Sequence, residues 1–342
     1  MIRVIPIIGI FLLASCMRQG TSRTVGQDIP IDSLRAVALN DTLALGFAKK
    51  ILVSDSLLIV YDDLQRDRLQ FFDAGTGGRL ASFGSIGQGD KELIAPGNIS
   101  LSYSTGEFMI YDNARKSMLA CRVEDIPDNR SDEWYVIRLP DYKIRPREVF
   151  PVDSNVFVAQ HGRPRFTLSC DGEEIWSYDQ FPLLEDLKDD EAATRMFFLT
   201  QTLTALSPDG TRMVQGTTLG TVMQIFKVND AQIEPIVHLN VNEPVFNIVK
   251  GQIVAKPGSV YGFACLQTTD KHIYATIHGV PDPQVYPSDI YVFDWDGRTT
   301  GKLAADRQIC CFGVDNNNGC IYAIVLNDQG EQEIVRLERK HV

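Results

Sequence analysis

The chain has no apolar run long enough to cross a bilayer as a helix, no clustered basic face, few histidines and one stretch of helical periodicity. Its longest apolar run, Val4 to Ala14, falls short of the roughly 20 residues that a spanning helix needs. With 33 basic against 44 acidic residues the net charge is −11, whereas a nucleic-acid partner calls for cations gathered on one face. No such partner is expected. The five histidines, at 161, 238, 272, 278 and 341, show neither H-x-x-x-H nor H-E-x-x-H spacing, which argues against a zinc-hydrolase centre. There is no G-x-S-x-G elbow and no recognisable Ser/His/Asp trio. Cys310, Cys311 and Cys320 lack paired C-x-x-C spacing and a neighbouring histidine, which argues against structural zinc. No metal, no cofactor and no catalytic residue is expected from these patterns.

What is present begins at the N-terminus. Arg3 is followed by the apolar run and then by Leu13-Ala14-Ser15-Cys16. That length suits the core of a signal peptide, with small residues before the cut. The tetrapeptide resembles a bacterial lipobox, so residues 1–15 are expected to be a signal peptide and Cys16 the acylated new N-terminus. Several acyl chains on one residue give stable membrane anchoring. No Asp and no acidic cluster follows Cys16, and on that resemblance the expected address is the outer membrane, facing the periplasm. Residues 16–30 read as lipidated cysteine and tether, and 31–342 as one domain. In an oxidising compartment the six other cysteines permit disulfides. Cys121, Cys170 and Cys265 each lie in a different strand-like run, however, and are expected to be free core residues.

From Leu43 onward, short runs rich in Val, Ile, Phe and Tyr alternate with turn residues, the mark of meandering antiparallel strands. The stretch Leu57 to Gly97 sets the pattern: strand, turn, strand, Gly-rich turn, strand, long glycine loop. Val60-Tyr61-Asp62 and Ile110-Tyr111-Asp112 occupy the same place in successive units. Asp171-Gly172 is a strong hairpin signal because both turn positions tolerate positive φ. The units fall at about 43–96, 97–140, 145–181, 201–239, 245–304 and 307–340. The last offers three strands, and the orphan Ser33–Leu39 is expected to add the fourth, closing the ring and removing its free edges. Leu183 to Leu199 interrupts the strands with apolar residues on one face and acids on the other, and is expected to be an inserted amphipathic helix. The fold class expected is therefore all-β: a six-bladed β-propeller of four-stranded antiparallel blades, closed by an N-terminal strand, with one inserted helix.

Two passages carry a family resemblance. Phe83-Gly84-x-x-Gly87-x-Gly89, then Leu93 and Pro96-Gly97, resembles the NHL repeat, where this loop links neighbouring blades. A strand rather than a helix follows it, which excludes the dinucleotide fingerprint. Leu206-Ser207-Pro208-Asp209-Gly210-Thr211-Arg212-Met213-Val214 resembles the SPDG hairpin of TolB-type propellers. With the lipobox, the chain resembles TolB-like or NHL-like six-bladed propeller lipoproteins of the Bacteroidetes type. Propellers of this kind include binding scaffolds and a minority of lyases and hydrolases with residues on the central channel.

Candidate ligand-binding residues are few. Gln160-His161-Gly162-Arg163 follows a second strand, placing His161 and Arg163 at a blade's loop face. Asp62, Asp63 and Asp112 follow the Tyr of two blades and are candidates for a ring at the channel entrance, with turn-forming acids as the plainer reading. Asp294-x-Asp296-Gly297 and Asp315-Asn316-Asn317-Asn318-Gly319 lack the spaced oxygens and distal Glu of a calcium loop and read as turns. The function expected is a binding scaffold for a protein, peptide or small ligand of the envelope, attached to the membrane through Cys16. The alternative is a propeller enzyme acting on a glycan or small molecule at the channel.

Overall fold

The computed structural model describes residues 29–39, 45–89, 91–126, 133–153, 156–161, 164–181, 198–250 and 252–340. Four separate four-stranded antiparallel sheets follow one another along the chain. They comprise β2 to β5 (Ala48–Ser54, Leu57–Asp62, Asp67–Asp73, Arg79–Ser85) and β6 to β9 (Pro96–Ser102, Glu107–Asp112, Ser117–Arg122, Tyr135–Arg138). Next come β10 to β13 (Glu148–Pro151, Val156–Gln160, Phe166–Cys170, Glu173–Tyr178) and β14 to β17 (Thr202–Leu206, Arg212–Thr217, Thr221–Val228, Ile233–Asn242). A small hairpin follows, β18 (Phe246–Val249) with β19 (Gln252–Ala255). The rest is one eight-stranded sheet. It contains β1 (Ile31–Ala38), β20 to β23 (Phe263–Thr268, His272–Ile277, Asp289–Asp294, Thr299–Ala305) and β24 to β26 (Ile309–Val314, Ile321–Leu326, Gln332–Arg339).

This corrects the expectation of six separate four-stranded blades. The cause is β1, which pairs antiparallel with β26, Leu34 facing Arg339, and also parallel with β23, Ile31 facing Lys302. The N-terminal strand thus does more than complete the last unit. Its second edge carries the hydrogen-bonded ladder on into β23, giving the order β20-β21-β22-β23-β1-β26-β25-β24. The two edges of this sheet, β20 and β24, lie side by side, so it curls nearly closed. The inserted helix expected over Leu183 to Leu199 lies almost wholly outside the described residues; only its end, Phe198 and Leu199, is described, and it is helical. Elsewhere among the described residues a 3-10 turn spans Val123–Asp125. Residues 1–28, with Cys16, also lie outside them.

The first strands of the four sheets and the edges β20 and β24 surround an axis, β10 against β6, β6 against β2, β2 against β24 and β20 against β14. The side amide of Gln160 bridges β10's sheet to β14, bonding Thr202 Oγ1 at 2.9 Å and Thr204 Oγ1 at 2.6 Å. Second strands of the first three sheets are predominantly apolar because they are covered on both faces. Leu57–Asp62 is buried at every position, and a fully buried Leu or Ile side chain contributes about 1.5–3 kcal/mol. Outermost strands are solvated on one face and read accordingly, as in Glu173–Tyr178. The core lies between neighbouring sheets, where Phe71 meets Phe108 edge-on at 6.0 Å and Phe166 meets Phe226 at 5.3 Å.

Chain direction gives the molecule two unlike ends. Each first strand runs from a loop end, where inter-sheet connections arrive, to a hairpin end, where it turns tightly into its second strand. Contacts between sheets keep this sense: Asn98 bonds Val149 at the loop end, and Tyr103 Oη bonds Val53 O at the hairpin end. The Asp171-Gly172 turn has both residues at positive φ, +50° and +80°. The Gly84 loop runs between β5 and β6, pinned by the Ile86–Leu93 bridge and by the fully buried Leu93.

Candidate binding surfaces at the two ends of the channel

At the loop end, Asp62 and Asp112 do the same job in successive sheets. Each is fully buried at the end of its second strand. Asp62 accepts backbone N–H bonds from Gly46 and Phe47 at 2.7 Å and Leu64 at 3.0 Å. Asp112 accepts from Ile94 at 2.7 Å, Ala114 at 2.9 Å and Arg115 at 3.1 Å. Each carboxylate therefore clamps the incoming connection to the sheet's own loop. Asp63 sits beside this clamp, in an ion pair with Lys49 and accepting the Tyr61 hydroxyl at 2.7 Å. His161 is buried, 3% exposed, with Nε2 2.7 Å from Thr167 Oγ1 and its ring edge-on to Tyr142 at 5.5 Å. Burial lowers its pKa. Arg163 and Cys16 lie outside the described residues. Among the described candidates, Asp62, Asp112 and His161 are buried and hydrogen-bonded within the loop end and Asp63 is ion-paired there.

Sequence reasoning missed a buried arginine. Arg165, 4% exposed, lies between the third and fourth sheets. Its Nε donates to Gln215 Oε1 at 2.8 Å and its Nη1 to Gln180 O at 3.1 Å and to Gln224. The rings of Phe166, Phe181 and Phe226 stand 5.2–5.3 Å from the guanidinium carbon. A planar cation with five donors matches such neutral carbonyl acceptors and ring faces, so it serves as polar cement between sheets. Nothing in Pro164-Arg165-Phe166 announces this, because its partners come from distant strands.

The loop end carries a group of exposed apolar side chains on its connections, while Ile31, Leu80, Tyr135, Val136, Ile175 and Ile236 are exposed on strands elsewhere. Phe47, Leu64, Ile86, Ile94, Ile144 and Val285 are exposed on its connections, Leu64 at 73%. Val245, Val249 and Val254 add to this on and beside the β18–β19 hairpin. That hairpin is held to the loop end through Phe246, which packs against Phe198 and Tyr261 at ring distances of 5.8 and 5.4 Å. At the hairpin end, Tyr103 is the one large apolar side chain so exposed on a tight turn among the described residues. Acids and amides dominate there. Asn317 Nδ2 donates to Asp55 at 2.7 Å, Asn316 Nδ2 to Asp270 at 3.0 Å, and Asp315 accepts Asn317 N at 2.8 Å.

The axis itself is narrow. A cavity of about 80 Å³ opens at the hairpin end and reaches inward to Lys50. Deeper lie Glu148, Cys265 and Cys311, the groups that act electrostatically on Lys50. Burial lowers the pKa of Lys50 and raises that of Glu148. The six cysteines among the described residues carry no disulfide.

Comparison with known proteins agrees with this architecture. A putative exported protein from Bacteroides fragilis NCTC 9343, known from a crystal structure, superposes with a TM-score of 0.56 at 10% identity, covering 91% of this chain and 100% of that one. A member of the DUF4221 family from Bacteroides vulgatus ATCC 8482 gives 0.51 at 10% identity, over 90% of this chain and 97% of its own. At such identity the likeness is one of fold alone. No curated protein matches the chain. The family model described as TolB-like 6-blade propeller-like matches residues 29–317, with the eight-stranded sheet filling the arc that the four separate sheets leave. The chain belongs to this TolB-like propeller family.

Proposed function

We propose that this protein is a partner-binding scaffold of the cell envelope, engaging another envelope protein with its loop end. The observation that carries this reading is the gathering of exposed apolar side chains on that end. Large apolar patches on a soluble face mark interaction surfaces, and loops on a rigid closed frame are the usual place for them. Acylation of Cys16 would tether the scaffold to the outer membrane on its periplasmic side. Strand β1 runs from the hairpin end toward the loop end, so the chain preceding it arrives at the hairpin end. The segment from Cys16 to Pro30 reaches at most about 50 Å when extended, so the tether joins the propeller at the end opposite the loop-end surface.

The test is affinity capture from crosslinked envelopes with wild type and a Leu64→Asp/Ile94→Asp/Ile144→Asp variant. A protein recovered with wild type and lost with the folded variant supports the reading; recovery unchanged by the variant refutes it. In parallel, Cys16→Ala should move the protein from the membrane to the soluble fraction. Membrane retention in that variant would refute the anchor.

A further inference from the structure

The cavity at the hairpin end lies between β2, β6, β10, β14 and β20. Its roughly 80 Å³ has room for on the order of five water molecules or a short narrow chain. The inner end is formed by Lys50. Its Nζ donates to Ile99 O at 2.8 Å; the buried Glu148 acts on it electrostatically from deeper in, but among the described residues no carboxylate comes within the 4.0 Å of an ion pair. An ammonium has three donors, so two remain for a ligand. The wall beside it holds Ser100, 8% exposed, whose hydroxyl has no partner. A buried donor pair left in this state is costly unless an acceptor arrives.

The mouth has the opposite sign. Asp315, Asp270 and Asp55 stand on the hairpin-end turns near Tyr103, which lines the mouth, and desolvation of its phenol together with these charges pushes its pKa up to about 12. Spare hydrogen-bond donors at the floor and acids around the mouth suit neither a simple anion nor a simple cation. They suit a ligand with a carboxylate at its tip and a positive charge behind it.

We propose that this cavity binds a zwitterion carboxylate-first, as a peptide C-terminus or a free basic amino acid. Lys50 Nζ and Ser100 Oγ donate to the carboxylate, and a cationic group of the ligand lies at the acidic rim. Charge-assisted hydrogen bonds of this type are the stronger class, so loss of the carboxylate charge should dominate the affinity. This site is independent of the loop-end surface and stands or falls separately.

The experiment is calorimetric titration of the purified protein with the tripeptide Lys-Ala-Ala, its C-terminal amide, and free lysine. Lys50→Met and Ser100→Ala are titrated alongside, with thermal melts to confirm folding. The free-acid tripeptide should bind at least tenfold more tightly than the amide. Lys50→Met should weaken it at least tenfold and Ser100→Ala a few-fold. Binding of the tripeptide alone identifies a peptide terminus, and binding of free lysine alone identifies an amino acid; both support the site. Equal binding of acid and amide, no binding of any probe, or full affinity in Lys50→Met overturns it. The amide comparison needs no variant, so the test does not depend on Lys50→Met folding.

Discussion

The two ends of the molecule are built from the same repeating strands, yet they differ in what their connections bring together. At the hairpin end turns close on themselves through side chains such as Asp73, Asp209 and Asp294, bonding backbone two to four residues away, with Asn316 and Asn317 also tying one turn to Asp270 and Asp55 of its neighbours. At the loop end each connection must pass from one sheet to the next, and it is fastened by groups from elsewhere in the chain. Asp62 and Asp112 supply such fastening across 15 to 18 residues. The loop end is thus held rigid from below while its outward apolar side chains are left free. A surface of that kind can dock a partner without first being ordered.

Substitutions that probe this contrast should differ in size. The largest loss is expected at Gly262, where an added Cβ would overlap the carbonyls of Gly220 and Thr217. Gly262→Ala should cost more than about 3 kcal/mol in urea unfolding; a near-neutral effect would show that the sheet-to-sheet junction yields easily. Next comes Asp112→Ala, which strands several backbone N–H groups at once and should cost about 2 kcal/mol. If it unfolded at the wild-type urea midpoint, the clamp would be ornamental. The hairpin-end counterpart is Gly106, at φ +68°, where an added Cβ would meet nothing within 4 Å. There Ala should cost only about 1 kcal/mol, from backbone conformation alone, and a loss rivalling that at Gly262 would erase the distinction between the ends.

The smallest effect concerns pH. Burial holds the folded-state pKa of His161 below its ordinary value of 6.5, and burial followed by the charge of Arg165 does the same to His238. The fold resists both protons, so stability is intact above about pH 6.5 and falls as pH drops through the folded-state values. Urea midpoints between about pH 7.5 and 5 should show that decline, and His161→Gln with His238→Gln should flatten it. A double variant with the wild-type slope would assign the decline to other groups.

Much of this architecture is legible in the sequence, for reasons that can be traced to particular residues. The apolar runs Leu57–Asp62 and Glu107–Asp112 read as second strands because burial on both faces leaves no room for alternation. The Asp171-Gly172 turn is legible because its conformation demands those residue types. Two failures have equally physical causes. The parallel pairing of β1 with β23 joins segments some 270 residues apart through backbone alone, and side-chain pattern says nothing about it. The β18–β19 hairpin has a turn signal in Val249-Lys250-Gly251, but its strands are only four residues each, too short to stand out from the connection around them. At the sites, the equivalence of Asp62 and Asp112 is visible in the sequence, but whether they face a channel or a neighbouring loop depends on three-dimensional direction. Lys50 carries a faint signal: period-2 reading puts it on the face of Leu52, where a charge is unusual.

The central claim, that the loop end is the partner-binding end, is tested most directly by site-specific photo-crosslinking in intact cells. A photoreactive phenylalanine would be placed in turn at Leu64, Ile94 and Val249 on the loop end, and at Tyr103 and Lys271 on the hairpin end. A common adduct from the loop-end positions and its absence from the hairpin-end positions is the predicted result. The same adduct from both ends, or adducts from the hairpin end alone, would contradict it.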